Sequence, residues 1–104
     1  MPEIVWKRGA EEDLLRIFAE HEGLRAGSGE QFTLKLDAVL QNLRSYPSLA
    51  PVFELPMRRL VVGNTGYGVF CTVEKRGIII HALVHLSQHP QSIRAKIRQL
   101  LGLT

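Results

Sequence analysis

A chain of 104 residues, 45% hydrophobic and with a net charge of +3, is sized for a single domain with a real core, expected to span residues 1–104. No apolar run approaches the roughly 20 residues of a membrane span. The start MPEIVWKRGAEEDLL lacks a secretory-signal layout, so the expected location is the cytoplasm. The single cysteine, Cys71, excludes an internal disulfide and sits in an apolar run, where it reads as a small core filler rather than a nucleophile.

In chain order, EIVW (3–6) has the β-formers of a short first strand. AEEDLLRIFAEHEG follows as a helix. Leu14, Ile17 and Phe18 make its apolar face, Glu11, Glu12 and Asp13 suit the dipole of its first turn, and Gly23 or Gly27 ends it. SGEQFTLKLDAVLQNLRSYP reads as a second helix, with Phe32, Leu36, Val39, Leu40 and Leu43 on one face, Ser28 as N-cap and Pro47 as stop. The two helices are expected to pair as an antiparallel hairpin. Residues 48–56, with two prolines, read as a connecting loop. Three strands follow at 57–63, 67–74 and 77–86, joined by turns at Asn64-Thr65-Gly66 and Lys75-Arg76-Gly77. PQSIRAKIRQLLG (90–102) completes the chain as a helix with Pro90 in its first turn and Ile93, Ile97, Leu100 and Leu101 on its apolar face. The order β-α-α-β-β-β-α predicts an α+β fold: a helical hairpin on one face of a small, mainly antiparallel sheet, with a C-terminal helix.

Charge is unevenly divided. Residues 1–56 hold six Lys/Arg and nine Asp/Glu, whereas residues 57–104 hold seven Lys/Arg and one acid, Glu74. A net of +6 on the second half suits an anionic partner as well as it suits a solvated basic surface.

His81, His85 and His89 stand four apart. On a helix that spacing binds zinc; on a strand four residues span about 13 Å, whereas each zinc ligand must come within about 2 Å of the ion. Strict alternation puts His81, Leu83 and His85 on one face of the sheet and Ile78, Ile80, Ala82 and Val84 on the other, helix-covered face. No metal or cofactor site is therefore expected. His81 is read as a partly buried histidine bonded to backbone, His89 as a surface residue, and His85 equally as structural or as a phosphate-binding or proton-moving group.

Several stretches together resemble the RelE/ParE superfamily of toxins from bacterial type II toxin–antitoxin modules. Ala10, Asp13, Leu14 and Ile17 match a first-helix pattern A-x-x-D-L-x-x-I; Phe32, Leu36, Leu40, Leu43 and Pro47 match the second helix. Arg58-Arg59-Leu60, then Tyr67, Val69 and Phe70, then Val84 and His85 match three successive strands. The resemblance implies a growth-inhibiting, plasmid-stabilising toxin neutralised by a cognate antitoxin. In the RelE branch, ribosome-dependent mRNA cleavage depends on basic residues and a C-terminal tyrosine. Here Gly68 replaces the arginine after the strand tyrosine, Leu86 replaces the basic residue after V-x-H, and no tyrosine follows. Only His85, Arg58 and Arg59 remain as candidates for catalysis. This depletion resembles the ParE branch, whose members act on DNA gyrase and are not nucleases. The alternatives are a RelE-like endoribonuclease acting on the ribosome and mRNA, and a non-toxic binding module.

For partner binding the candidates are Trp6, Arg58, Arg59, Arg94 and Arg98. Arg58 and Arg59 alternate across the strand, so one is expected to pair with an acid such as Glu54 or Asp13. Arg94 and Arg98 share a face of the last helix. Trp6 reads as core or as part of an apolar patch kept for the antitoxin, and Tyr67 as hairpin packing.

Overall fold

The computed structural model describes residues 2–102. Its elements are β1 (Ile4–Trp6), α1 (Arg8–Leu24), α2 (Ser28–Ser45), a single 3-10 turn (Pro47–Leu49), β2 (Val52–Glu54), β3 (Met57–Val62), β4 (Tyr67–Glu74), β5 (Gly77–His85) and α3 (Pro90–Leu100). The α+β order read from the sequence holds. The segment read as a loop contributes more: it contains the 3-10 turn and an edge strand, β2, paired antiparallel with β3.

The five strands lie in the order β1-β5-β4-β3-β2. Strands β2 to β5 form the expected antiparallel meander, while β1 runs parallel to β5, with Ile4, Val5 and Trp6 opposite Ile78, Ile79 and Ile80. Parallel neighbours require a long connection, and here both helices and strands β2 to β4 separate β1 from β5.

Two apolar clusters flank this sheet. Ala10, Ile17, Phe32, Leu36, Leu40 and Leu43 of the hairpin pack with Tyr67, Val69, Cys71, Ile78, Ile80 and Leu83. On the opposite face, Ile93 and Ile97 of α3 pack with Met57, Phe70, Ala82 and Val84. Helices thus cover both faces, and the open side expected for the sheet is occupied by α3. The buried stripe of α3 is Ile93 and Ile97 with partly buried Leu101; Leu100, placed on that stripe by periodicity, is 37% exposed.

A bulge in β5 explains why one strand serves both clusters. Phe70 pairs with Ala82 but Cys71 pairs with Ile80, leaving His81 without a partner on β4. The extra residue shifts the alternation by one. Ile78 and Ile80 face the hairpin, whereas Ala82 and Val84 face α3, so the single face assigned to these four is corrected.

Helix ends also differ from their sequence signals. Ser28 does not cap α2; its hydroxyl donates to the carbonyls of His21 and Arg25. The capping acceptor is Glu22, whose two oxygens take the N–H groups of Gly27 and Gly29. These bonds, Gly27 first, hold its carboxyl below the ordinary carboxylate value. Gly29 sits at a close approach of α2 to α1: a Cβ there would stand 2.8 Å from the Phe18 carbonyl oxygen. His89 caps α3, its Nδ1 accepting the Gln91 N–H at 3.1 Å.

Candidate functional site

The three residues proposed for catalysis do not converge. Arg58 pairs across the ladder with Cys71, on the hairpin side, and its guanidinium donates to the Ala50 carbonyl at 2.8 Å. The acid partner expected for an arginine of this pair is absent, because both candidate acids are engaged elsewhere. Asp13 accepts the Leu83 N–H just beyond the bulge, at 3.0 Å, and Arg16 at 3.3 Å. Glu54 accepts Arg98 through Nε and Nη2 at 3.1 and 2.8 Å, and Arg94 stands 3.8 Å from its other oxygen. Arg59 pairs with Phe70 on the α3 side, its guanidinium carbon 5.7 Å from the centre of the Phe53 ring. His85 pairs with Tyr67 at the far end of β4. Four residues of strand, about 13 Å, separate that end from the level of Arg58, and the sheet itself separates His85 from Arg59.

His85 is held in one role. Its Nδ1 accepts from the Ser87 N–H at 3.2 Å and contacts the Ser87 hydroxyl at 2.6 Å. Nδ1 must then carry the lone pair, so a neutral ring has its proton on Nε2. That nitrogen lies over Gly66, 2.8 Å from where a Cβ would be. The ring stacks edge-on against Tyr67 at 4.8 Å, and Tyr67 in turn packs on Phe32 and His21. A histidine so bonded offers a donor and has no free base. Tyr67 offers none either: burial first, then the Glu20 carboxylate, raises its phenol above the ordinary value.

His81 stands on the opposite face from His85, a second consequence of the bulge. Its Nε2 meets the Thr72 hydroxyl at 2.9 Å, and that hydroxyl donates to Glu74 at 2.7 Å. Having one proton to give, Thr72 must accept from His81, so Nε2 is protonated and Nδ1 is left buried without a partner. Burial lowers the His81 pKa, with Lys7 acting in the same direction and Glu74 opposing. The expected bond to backbone is therefore corrected to a side-chain relay inside the sheet layer. Among the described residues, no three His, Cys, Asp or Glu side chains are grouped so as to hold a metal ion.

Gly68 and Leu86 now acquire a spatial meaning. A Cβ on Gly68 would lie 3.0 Å from Leu86 Cδ2 and 3.4 Å from Arg59 Cγ. The leucine side chain fills the space beside the glycine.

Trp6 is half-buried and packs against the hairpin core. It also separates two hollows along the β1 edge. One, of about 400 Å³, runs under Ile4, Asp37, Leu40, Gln41 and Arg44; the other, of about 340 Å³, is lined by Trp6, Glu11, Leu14 and Leu15. Leu15 is 70% exposed and Phe18 is 40% exposed, so an apolar strip of α1 continues this hollow. Periodicity placed Phe18 in the core, whereas the structure leaves it partly outside.

A helical hairpin and a third helix enclose a five-stranded sheet, an apolar strip runs along α1, and among the described residues Arg58, Arg59 and His85 do not come together. The sequence places the protein further: residues 4–90 match the family model of the ParE toxin of type II toxin–antitoxin systems, parDE, and the chain belongs to that family. Among solved structures it is similar to a chain from a chromosomal ParDE TA system of P. aeruginosa, with a TM-score of 0.72 and 17% identity over 83% of this chain and 97% of that one. At this identity the likeness establishes the fold. No curated protein matches the chain. None of the described helices is long and apolar enough to cross a membrane.

Proposed function

We propose that this toxin acts as a ParE-type inhibitor of DNA gyrase, held in check by a cognate antitoxin, and that it is not a nuclease. The observation that carries the reading is the dispersal of His85, Arg58 and Arg59. In-line RNA cleavage needs a base, an acid and concentrated positive charge at one phosphate, each proton role contributing about 10²–10⁴ in rate. Here one arginine is tied to a backbone carbonyl, one lies across the sheet, and the histidine already spends its lone pair on Ser87. Action by binding a protein target needs none of that assembly.

The antitoxin would lay an amphipathic segment along the strip formed by Trp6, Leu14, Leu15 and Phe18, where exposed apolar area supplies affinity. The arginines divide differently from the sequence expectation. Arg58 is structural, Arg94 and Arg98 share one carboxylate and keep one net positive charge between them, and Arg59 meets no carboxylate among the described residues. Acidic residues of the partner would set register and on-rate against α3.

Purified protein added to a gyrase supercoiling assay should inhibit it. Primer extension on ribosome-bound mRNA after induction should show no codon-positioned cuts. Clean cuts that vanish in His85→Ala would replace this reading with the nuclease.

A further inference from the structure

Where the end of α1, the start of α2 and the β3–β4 turn meet, a cavity of about 200 Å³ opens to solvent. Its lining includes Arg25, Lys35, His21 and Asn64, and no carboxylate. The two positive charges, on Arg25 and Lys35, lie in the acidic half of the chain, where composition gave no hint of them. Among the described residues neither Arg25 nor Lys35 lies within ion-pair distance of an acid. Glu22, three residues before Arg25, has both oxygens on the N–H groups of Gly27 and Gly29.

The hydrogen bonds around the cavity leave donors without acceptors. The hydroxyls of Ser28 and Thr65 are spent on backbone carbonyls, and His21 Nδ1 donates to the Ile17 carbonyl, so the His21 ring supplies no further donor while neutral. Arg25 uses one nitrogen on the side-chain Oε1 of Gln31 and keeps the rest of its five donors. Lys35 and the Asn64 side chain have no hydrogen-bonded partner among the described residues. The polypeptide thus presents a guanidinium, an ammonium and a carboxamide from three separate segments, with no acid of the described residues paired to the two cations.

We propose that this cavity is a binding site for a phosphate-class oxyanion. Donors arriving from three segments surround a ligand with acceptors in several directions, which a tetrahedral phosphate supplies. A planar carboxylate, with its acceptors confined to one edge, suits a single fork. Phe32 lines the cavity beside His21, the two rings 5.4 Å apart. The site is remote from the α3 arginines and independent of the gyrase reading. Its phosphate could be a free ion or one unit of a nucleic-acid backbone.

The test titrates isotope-labelled full-length protein with inorganic phosphate at constant ionic strength and follows the His21 ring and Asn64 side-chain amide by NMR. Saturable shifts are expected, with a Kd on the order of 1 mM. Lys35→Gln and Arg25→Gln, both at exposed positions, should each weaken binding at least tenfold, and Lys96→Gln on α3 should leave it unchanged. Shifts that stay linear, that acetate reproduces equally, or that persist in Lys35→Gln would overturn the site. A parallel titration with a short single-stranded oligonucleotide distinguishes the sources. Binding at least tenfold tighter than the free ion, and lost in Lys35→Gln, assigns a backbone phosphate; binding no tighter assigns the free ion. Both of those outcomes sustain the site.

Discussion

Gly29→Ala sets two effects of opposite sign against each other. Replacing glycine by alanine in a helix is worth about 0.5–1 kcal/mol in favour of alanine, because glycine loses more backbone freedom on folding. At Gly29 the added carbon would lie 2.8 Å from the Phe18 carbonyl oxygen, 2.8 Å from Glu22 Cγ and 2.9 Å from Phe18 Cδ2. The first of these is backbone and cannot swing aside, so α1 and α2 must separate. Overpacking of this kind costs roughly 1–3 kcal/mol. At mid-range values the steric effect wins, leaving a net loss of about 1 kcal/mol. For a domain of this size each kcal/mol moves Tm by about 4–8 °C, so Tm should fall by roughly that amount. Gly23→Ala is the internal control: nothing lies within 4 Å of a Cβ there, so only the favourable effect operates and Tm should rise by a few degrees. Differential scanning calorimetry on both variants and the parent is decisive. A Gly29→Ala protein as stable as the parent, or more stable, would refute the close approach of the two helices.

Three further outcomes follow from individual side chains. His81 has a folded pKa lowered by burial from 6.5, so the unfolded chain binds more protons as pH falls below 6.5; stability from this group is complete above that pH and is lost on acidification. Urea midpoints at pH 7.5 and pH 5 should show that loss in the parent and a smaller one in His81→Leu. Cys71 is fully buried, with its thiol pushed up to about 11 by burial, so Ellman's reagent at pH 8 should label it only after denaturant is added, and rapid native labelling would contradict its placement. Glu54→Gln removes the carboxylate shared by Arg94 and Arg98, whose side chains are about half exposed. The loss should be at most about 1 kcal/mol by urea unfolding and should shrink in high salt.

The helices and the three long strands were legible in the sequence because each carries its own period. Phe32, Leu36, Leu40 and Leu43 recur at helical spacing, and each of these strands is bounded by turn residues. The strand assignment of residues 81–85 likewise came from the chain alone, and with it the argument that separates His81 from His85. What local pattern could not contain is a bulge. It adds one residue to β5 and not to β4, so it exists only as a mismatch between two strands, yet it moves His81 to the face opposite His85 and divides β5 between two clusters. Side-chain partners were hidden for a related reason. Glu54 meets Arg98 forty-four residues away and Asp13 meets the Leu83 N–H seventy residues away, distances over which a sequence states charge but not neighbourhood. The α3 helix announced its apolar stripe, but which face of the sheet would receive it depended on where the hairpin had already packed. The cavity lined by Arg25, Lys35 and Asn64 arises the same way: three segments unremarkable in sequence are brought to one cavity, with no carboxylate in its lining, by the docking of α1 and α2 on the sheet.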